Sequence, residues 1–174
     1  MSDVAYRDAC TNDCDALCDL MRATFCETFA HLYRTEDLEA FLSASYTPAQ
    51  QYAEIIDPDV ETRLAVQGGV LVGYAQIGPF RLPYEVGPGH ALEVYRLYVR
   101  RSVQGRGVAP ALMDWALTRM RERAAQDAFL GVWSQNERAK RFYARYGFER
   151  VGSYQFPVGE TLDDEYILRA RIGA

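Results

Sequence analysis

Apolar positions change their spacing several times along the chain, and each change marks an element. Leu17, Leu20, Met21, Thr24, Phe25 and Thr28 recur at the helical period, so 13–29 is predicted to be a helix. Thr35 followed by Glu36, Asp37 and Leu38 has the form of an N-cap with acids in the first turn, opening a second helix to about Tyr46. Pro48 begins another helical piece toward Asp57. Ahead of these, VAYRDA (4–9) reads as a short strand. ETRLAVQ (61–67) and VLVGYAQIG (70–78) enclose Gly68-Gly69, and a glycine pair supplies the positive φ of a tight hairpin turn. A Pro- and Gly-rich loop (79–89) leads to a strand of β-branched and aromatic residues, HALEVYRLYV (90–99).

From Gly107 a long helix is predicted to about Asp127, with Val108, Ala111, Leu112, Trp115, Ala116 and Met120 on one face. FLGVWS (129–134) is a short buried strand, and ERAKRFYARYG (137–147) a helix stopped by Gly147 at its C′ position. Strands near 148–156 and 164–171 close the chain. This order predicts an α/β fold, a mixed sheet with helices on its faces. With no repeat, low-complexity segment or linker, residues 1–174 read as one domain.

Composition excludes some classes. Hydrophobic residues at 49% and charged residues at 25% are ordinary for a globular domain. No apolar stretch nears the roughly 20 residues of a membrane span. The first residues are polar and acidic, unlike a signal peptide, which leaves a cytoplasmic address by default. A net charge of -5 argues against a general nucleic-acid binder. Its distribution adds more: residues 1–60 hold twelve Asp or Glu and three Arg, whereas 96–150 hold twelve Arg or Lys and five Asp or Glu. Such a chain suits a protein that grips an anionic cofactor with one part and a cationic acceptor with another; the plainer reading is solvated helix faces. Cys10, Cys14, Cys18 and Cys26 cluster, but no CxxC pair exists and His31 and His90 stand apart. Free thiols are expected, with Cys14 and Cys18 on the buried stripe and no metal.

The chemistry concentrates in LYVRRSVQGRGVAPALMDWAL (97–117). A strand feeds the loop Gln104-Gly105-Arg106-Gly107-Val108-Ala109, which opens directly into a helix. Unpaired N–H groups at a helix start point along the dipole toward an anion, and glycines let a phosphate come close. No Lys-Ser/Thr pair follows, so this is not a nucleotide P-loop, and the GxGxxG fingerprint is missing because Pro110 follows Gly105 and Gly107.

The pattern Gln104-x-x-Gly107-x-Ala109 resembles the pyrophosphate loop of the GNAT N-acetyltransferase superfamily. WSQNERAKRFYARYGFERVG (133–152), with Asn136, Ala139, Phe142-Tyr143 and Gly147-Phe148, resembles that family's second unit. Further pieces, ETFAHLYRTEDLEAFL (27–42), LEVYRLYV (92–99), GVWSQNERAKRFYARYGF (131–148) and FPVGETLDDEYIL (156–168), look like the bacterial spermidine/spermine N-acetyltransferase branch; Glu165 and Leu168 stand where that branch usually has Asp and Met.

The resemblance implies acetyl-CoA as cosubstrate, without a metal, and a small-molecule amine as acceptor, with no nucleic-acid or membrane partner and a homodimer left open. Backbone amides of Leu97, Tyr98 and Val99 would pair with pantetheine and polarise the thioester carbonyl, the loop 104–109 would hold the pyrophosphate, and Asn136 would bond the cofactor arm. Glu93, eleven residues before Gln104 as in the histone-acetylating branch, would be the base, or else would pair with an arginine. Tyr143 would be the acid that protonates the thiolate, or else a core residue. Glu27, with Glu36, Asp37 and Glu39 nearby, would face the amine. The resemblance leaves open a polyamine, a protein N-terminus or another small amine as acceptor. Readings as a non-catalytic CoA-binding sensor, or as a metal or redox regulator built on the cysteine cluster, have less support.

Overall fold

The chain folds as β1 (Val4–Asp8), α1 (Cys14–Phe29), α2 (Thr35–Ser45), α3 (Pro48–Ile56), β2 (Glu61–Gln67), β3 (Val70–Pro79), β4 (Ala91–Val99), α4 (Val108–Glu122), β5 (Asp127–Trp133), α5 (Glu137–Ala144), β6 (Glu149–Val158) and β7 (Thr161–Arg171). In this computed structural model, which describes residues 3–173, the seven strands form one mixed sheet in the order β1-β2-β3-β4-β5-β7-β6. Only β4 and β5 pair in parallel.

Alternation along β3 divides the core. Tyr74 joins Leu17, Met21, Phe25, Phe29 and Phe41 of α1 and α2 on one face. Ala75 and Ile77 pack against Leu112 and Met113 of α4 on the other. Cys14 and Cys18 are buried on the α1 stripe, burial pushes the Cys18 thiol up to about 11, and all four cysteines are free. Among the described residues, no group of three or more His, Cys, Asp or Glu is arranged to hold a metal, and no helix is long and apolar enough to cross a membrane.

Helix ends show what local sequence conceals. Gly147 (φ +80°) donates to Ala144 O at 3.1 Å and Phe148 donates to Tyr143 O at 3.3 Å, the Schellman pattern expected of a glycine at C′. The same pattern ends α4 at Glu122, well before the predicted Asp127: Ala124 N–H bonds Arg121 O at 2.9 Å and Ala125 N–H bonds Met120 O at 3.0 Å. There Ala124 takes the left-handed position (φ +58°), which costs about 1–2 kcal/mol and carries no glycine signal. Thr35 is likewise the first helical residue, not the cap, because Arg34 keeps the extended conformation before it.

Two features of β4 position the site. Its register with β3 holds to Gln76↔Arg96, then shifts so that Ile77 faces Val94, leaving Tyr95 as the extra residue of a β-bulge. The bulge puts Glu93, Arg96 and Tyr98 on one face, where strict alternation would separate Glu93 from Arg96. The Tyr95 hydroxyl donates to Pro79 O at 2.6 Å, and its ring folds across Gly78, where a Cβ would lie 2.5 Å from the hydroxyl.

The second feature is a parting of strands. β4 and β5 pair only at Ala91↔Asp127, Leu92↔Ala128 and Glu93↔Phe129, although β4 runs to Val99 and β5 to Trp133. Beyond Glu93, β5 stays with β7 as far as Trp133↔Glu165. The β5-facing polar backbone of 94–99 is left without a strand partner, and backbone groups in that state seek one.

Candidate active site

The parted strands open onto a cavity of about 690 Å³. Leu97, Tyr98, Val99, Gln104, Ala109, Asn136 and Tyr143 all line it. Gly105, Arg106, Gly107 and Val108 form the turn between the lining residues Gln104 and Ala109, at the cavity's edge. Gly105 and Gly107 take positive φ (+76° and +80°), which aims the backbone into α4. The first helical bond is Ala111 N–H to Gly107 O at 3.1 Å. The N–H groups of Gly107, Val108 and Ala109 precede it, and Pro110 has none to give. The Val108 side chain is buried in the core, so only its backbone is offered.

Side chains tie this turn to its surroundings. Gln104 donates to Val99 O at 3.5 Å and accepts from Arg138 of α5, joining the two halves of the cleft. Asn136 caps α5 by accepting Ala139 N–H at 3.1 Å, leaving its amide hydrogens to donate. Glu27, expected to face the amine, does not line the cavity. Its carboxylate pairs with Arg100 Nε at 2.8 Å and accepts Arg101 N–H at 2.8 Å, while its carbonyl accepts from the Arg101 guanidinium at 2.7 Å. It clasps α1 to the segment leading into the glycine turn.

The other acids of the first sixty residues also lie elsewhere. Glu36 and Glu39 are exposed. Asp37 is buried and accepts from Arg34 Nε (2.9 Å), Glu160 N–H (2.8 Å) and the Thr161 hydroxyl (3.0 Å), fastening α2 to the β6–β7 turn. Those bonds, that from Arg34 foremost, lower its carboxyl to about 2.

Glu93 and Tyr143 both line the cavity. Glu93 is buried and accepts N–H groups of Arg81 (2.8 Å) and Leu82 (3.2 Å), so its partner is loop backbone where an arginine side chain was the alternative. Burial raises its carboxyl, against those two bonds and the charges of Arg81 and Arg96. Tyr143 packs edge-on against Phe142 and Phe148; burial, and then the charge of Glu165, push its hydroxyl up to about 12. It therefore keeps its proton throughout the neutral range.

The facing wall was missed. Tyr154 of β6 donates to Glu165 of β7 at 2.6 Å, and Tyr33, after α1, donates to Asp163. Phe25, Phe41, Tyr46, Trp133 and Phe156 complete an aromatic surround. Gly131 of β5 makes room for the pair: a Cβ there would lie 2.5 Å from the Tyr154 hydroxyl and 2.9 Å from Glu165 Oε2. The alternation in DDEYIL (163–168) signals this wall, since Asp163 and Glu165 share a strand face.

Solved structures share this fold. The PaiA N-acetyltransferase of Thermoplasma acidophilum, solved in complex with coenzyme A, superposes with a TM-score of 0.78 at 18% identity, covering 97% of this chain and 99% of that one. The ribosomal-protein-S18-alanine N-acetyltransferase of Escherichia coli gives a TM-score of 0.72 at 14% identity over 99% of this chain and 96% of that one. Sequence then gives the family. Residues 19–148 match the model of the Acetyltransferase (GNAT) family. An uncharacterised N-acetyltransferase of Lactobacillus delbrueckii subsp. lactis is 30% identical over 150 residues, 86% of this chain and 87% of the relative. The chain belongs to the GNAT family and is an acetyltransferase enzyme.

Proposed function

We propose that the protein transfers acetyl from acetyl-CoA directly onto a primary amine of a polyamine such as spermidine or spermine. One observation carries this reading: a single cavity has unpaired strand backbone and a helix N-terminus on one side and, on the other, Asp163 and Glu165, which form no ion pair among the described residues. The donor side fits coenzyme A by its chemistry. A pyrophosphate is matched by the N–H groups of Gly107, Val108 and Ala109, and an amide-bearing arm by the β4 edge at Leu97, Tyr98 and Val99. The bound donor supplies a thioester-activated acetyl group. Glu93 then takes a proton from the acceptor ammonium, directly or through water, and its burial lifts its basicity toward the working pH. Tyr143 keeps a proton for the departing thiolate.

The aromatic lining suits the alkyl body of a polyamine, and the carboxylates suit its charges. The test is release of free CoA across an amine panel. Spermidine and spermine should have the highest kcat/KM, with acceptor KM rising with ionic strength. Faster acetylation of an N-terminal peptide or a neutral-bodied amine would retain the acetyltransferase and remove the polyamine.

A further inference from the structure

The cavity's two carboxylate positions differ in how their charge is balanced. Glu93 has two backbone N–H donors and lies in the fields of Arg81 and Arg96. Glu165 has one neutral donor, the Tyr154 hydroxyl, and its neighbour Asp163 adds a further negative charge. Among the described residues, no arginine or lysine forms an ion pair with Glu165 or Asp163. A carboxylate half-buried in an aromatic-lined cavity without a counter-ion is costly, and an arriving cation relieves that cost.

Placement is equally specific. Glu165 Oε2 leans over Gly131, 2.9 Å from where a Cβ would stand. Gly131 lies one strand across and two residues along from Glu93, which pairs with Phe129. Because the strands part from there, their Cα atoms are at least about 8 Å apart. The Tyr154 hydroxyl donates to Glu165 and feels the charge of both acids. Two acids at separate points of one cavity suit two charged nitrogens joined by a short alkyl chain.

We propose that Glu165, braced by Tyr154 over Gly131, determines acceptor specificity by binding an ammonium group other than the one acetylated, so that the enzyme selects amines with a second cation a few methylenes from the first. This rests on the polyamine reading above and assigns its selectivity to one residue of β7. The acidic N-terminal segment, whose side chains are exposed or already bonded, does not supply it.

The experiment compares 1,4-diaminobutane with n-butylamine, which share a body and differ by one charge, through kcat/KM at saturating acetyl-CoA. The wild type should prefer the diamine. Glu165→Gln should cut that preference by about 10–100-fold, the range expected for losing a charged hydrogen-bond partner. Glu165→Asp, which keeps the charge, should retain part of it, and Tyr154→Phe should weaken it less than Glu165→Gln. Thermal melts and acetyl-CoA affinity confirm that each variant is folded with its donor cleft intact; if Glu165→Gln does not fold, the Glu165→Asp and Tyr154→Phe ratios decide. A wild-type preference that survives Glu165→Gln overturns this inference and leaves the polyamine reading standing. A wild type that does not distinguish the two amines, acetylating both alike or neither, overturns this inference, and one that also shows no preference for spermidine or spermine in the amine panel overturns both.

Discussion

The two walls of the cavity are made of different material. The proposed donor wall comes from two short segments, 97–109 and 136–143, and presents mainly backbone: the β4 edge and the first N–H groups of α4. The proposed acceptor wall comes from the end of α1, from α2, and from β6 and β7, and it presents side chains. Its tyrosine–carboxylate bonds join residues as far apart as Tyr33 and Asp163. Backbone geometry recognises a ligand whose polar groups are fixed, and substitutions reach it only by bending the chain. Side-chain charge can be retuned one residue at a time. The donor wall should therefore be sensitive to φ and the acceptor wall to charge.

The largest effect is expected where the walls meet. Tyr143→Phe keeps the ring and deletes the proton, so turnover should fall 10²–10⁴-fold with acetyl-CoA affinity nearly kept. Wild-type turnover would return Tyr143 to the packing of Phe142 and Phe148. Glu93→Gln should cost about 10²-fold and remove the acidic limb of the rate profile. That limb should stay in place when the acceptor is exchanged for a less basic amine, whereas a limb due to the amine itself would move.

Stability separates the two roles of Glu93. Its folded carboxyl titrates above the unfolded value of about 4.3, so its charge weakens the fold once the pH passes through that interval. Gln accepts the same N–H groups without a charge. The variant should therefore melt at an equal or higher temperature at pH 7 while losing activity.

The φ-sensitivity of the donor wall is tested at Gly107. An added Cβ has nothing within 4 Å, so Gly107→Ala does not disturb packing. It does force an L side chain into φ +80°, costing about 1–2 kcal/mol, which the turn escapes by rotating its N–H groups away from the proposed pyrophosphate site. Acetyl-CoA affinity should drop on the order of tenfold, measured by calorimetry, with an unchanged acceptor KM. Glu27→Gln is a smaller test of the same boundary. Although Glu27 lies on the helix that covers the acceptor face, its bonds go to Arg100 and Arg101. The acetyl-CoA KM should rise roughly 2–10-fold, the scale of a half-exposed pair with an added backbone bond, and the acceptor KM should not change. The reverse split would put Glu27 back on the amine.

This division also explains how legible each part was. The strand–loop–helix of 97–109 and the cap, helix and glycine stop of 136–147 carry their geometry in residues a few positions apart, so motif and spacing reveal them. The Tyr95 bulge was hidden because HALEVYRLYV has strand composition with or without an extra residue; Gly78, which admits the Tyr95 ring, is its one trace. The end of α4 was overrun because Ala124 occupies a position where glycine would have marked the stop. Charge counting pointed to acids as the acceptor's partners, but the acids it singled out do not line the cavity, whereas Glu165 does. Composition registers that Glu27, Asp37 and Glu165 are acidic, whereas only the fold decides that Arg100, Thr161 and Tyr154 meet them.

The smallest effect is expected at Asp37, which supports the acceptor wall without facing the cavity. It fastens α2 to the β6–β7 turn through Arg34, Glu160 N–H and Thr161, beside Gly159, where a Cβ would lie 2.4 Å from its Oδ1. The folded carboxyl titrates at about 2, below the unfolded value of about 3.9. A carboxylate depressed in this way stabilises the fold above the unfolded value and loses that contribution as the pH falls through the folded one. Asp37→Asn should therefore melt a few degrees lower at pH 7, and the gap from wild type should close between about pH 4 and pH 2. Acetyl-CoA affinity should not move, because nothing in this clamp touches the donor wall. Loss of acetyl-CoA affinity alongside stability would mean that the walls share one cooperative support, and the distinction between them would fail.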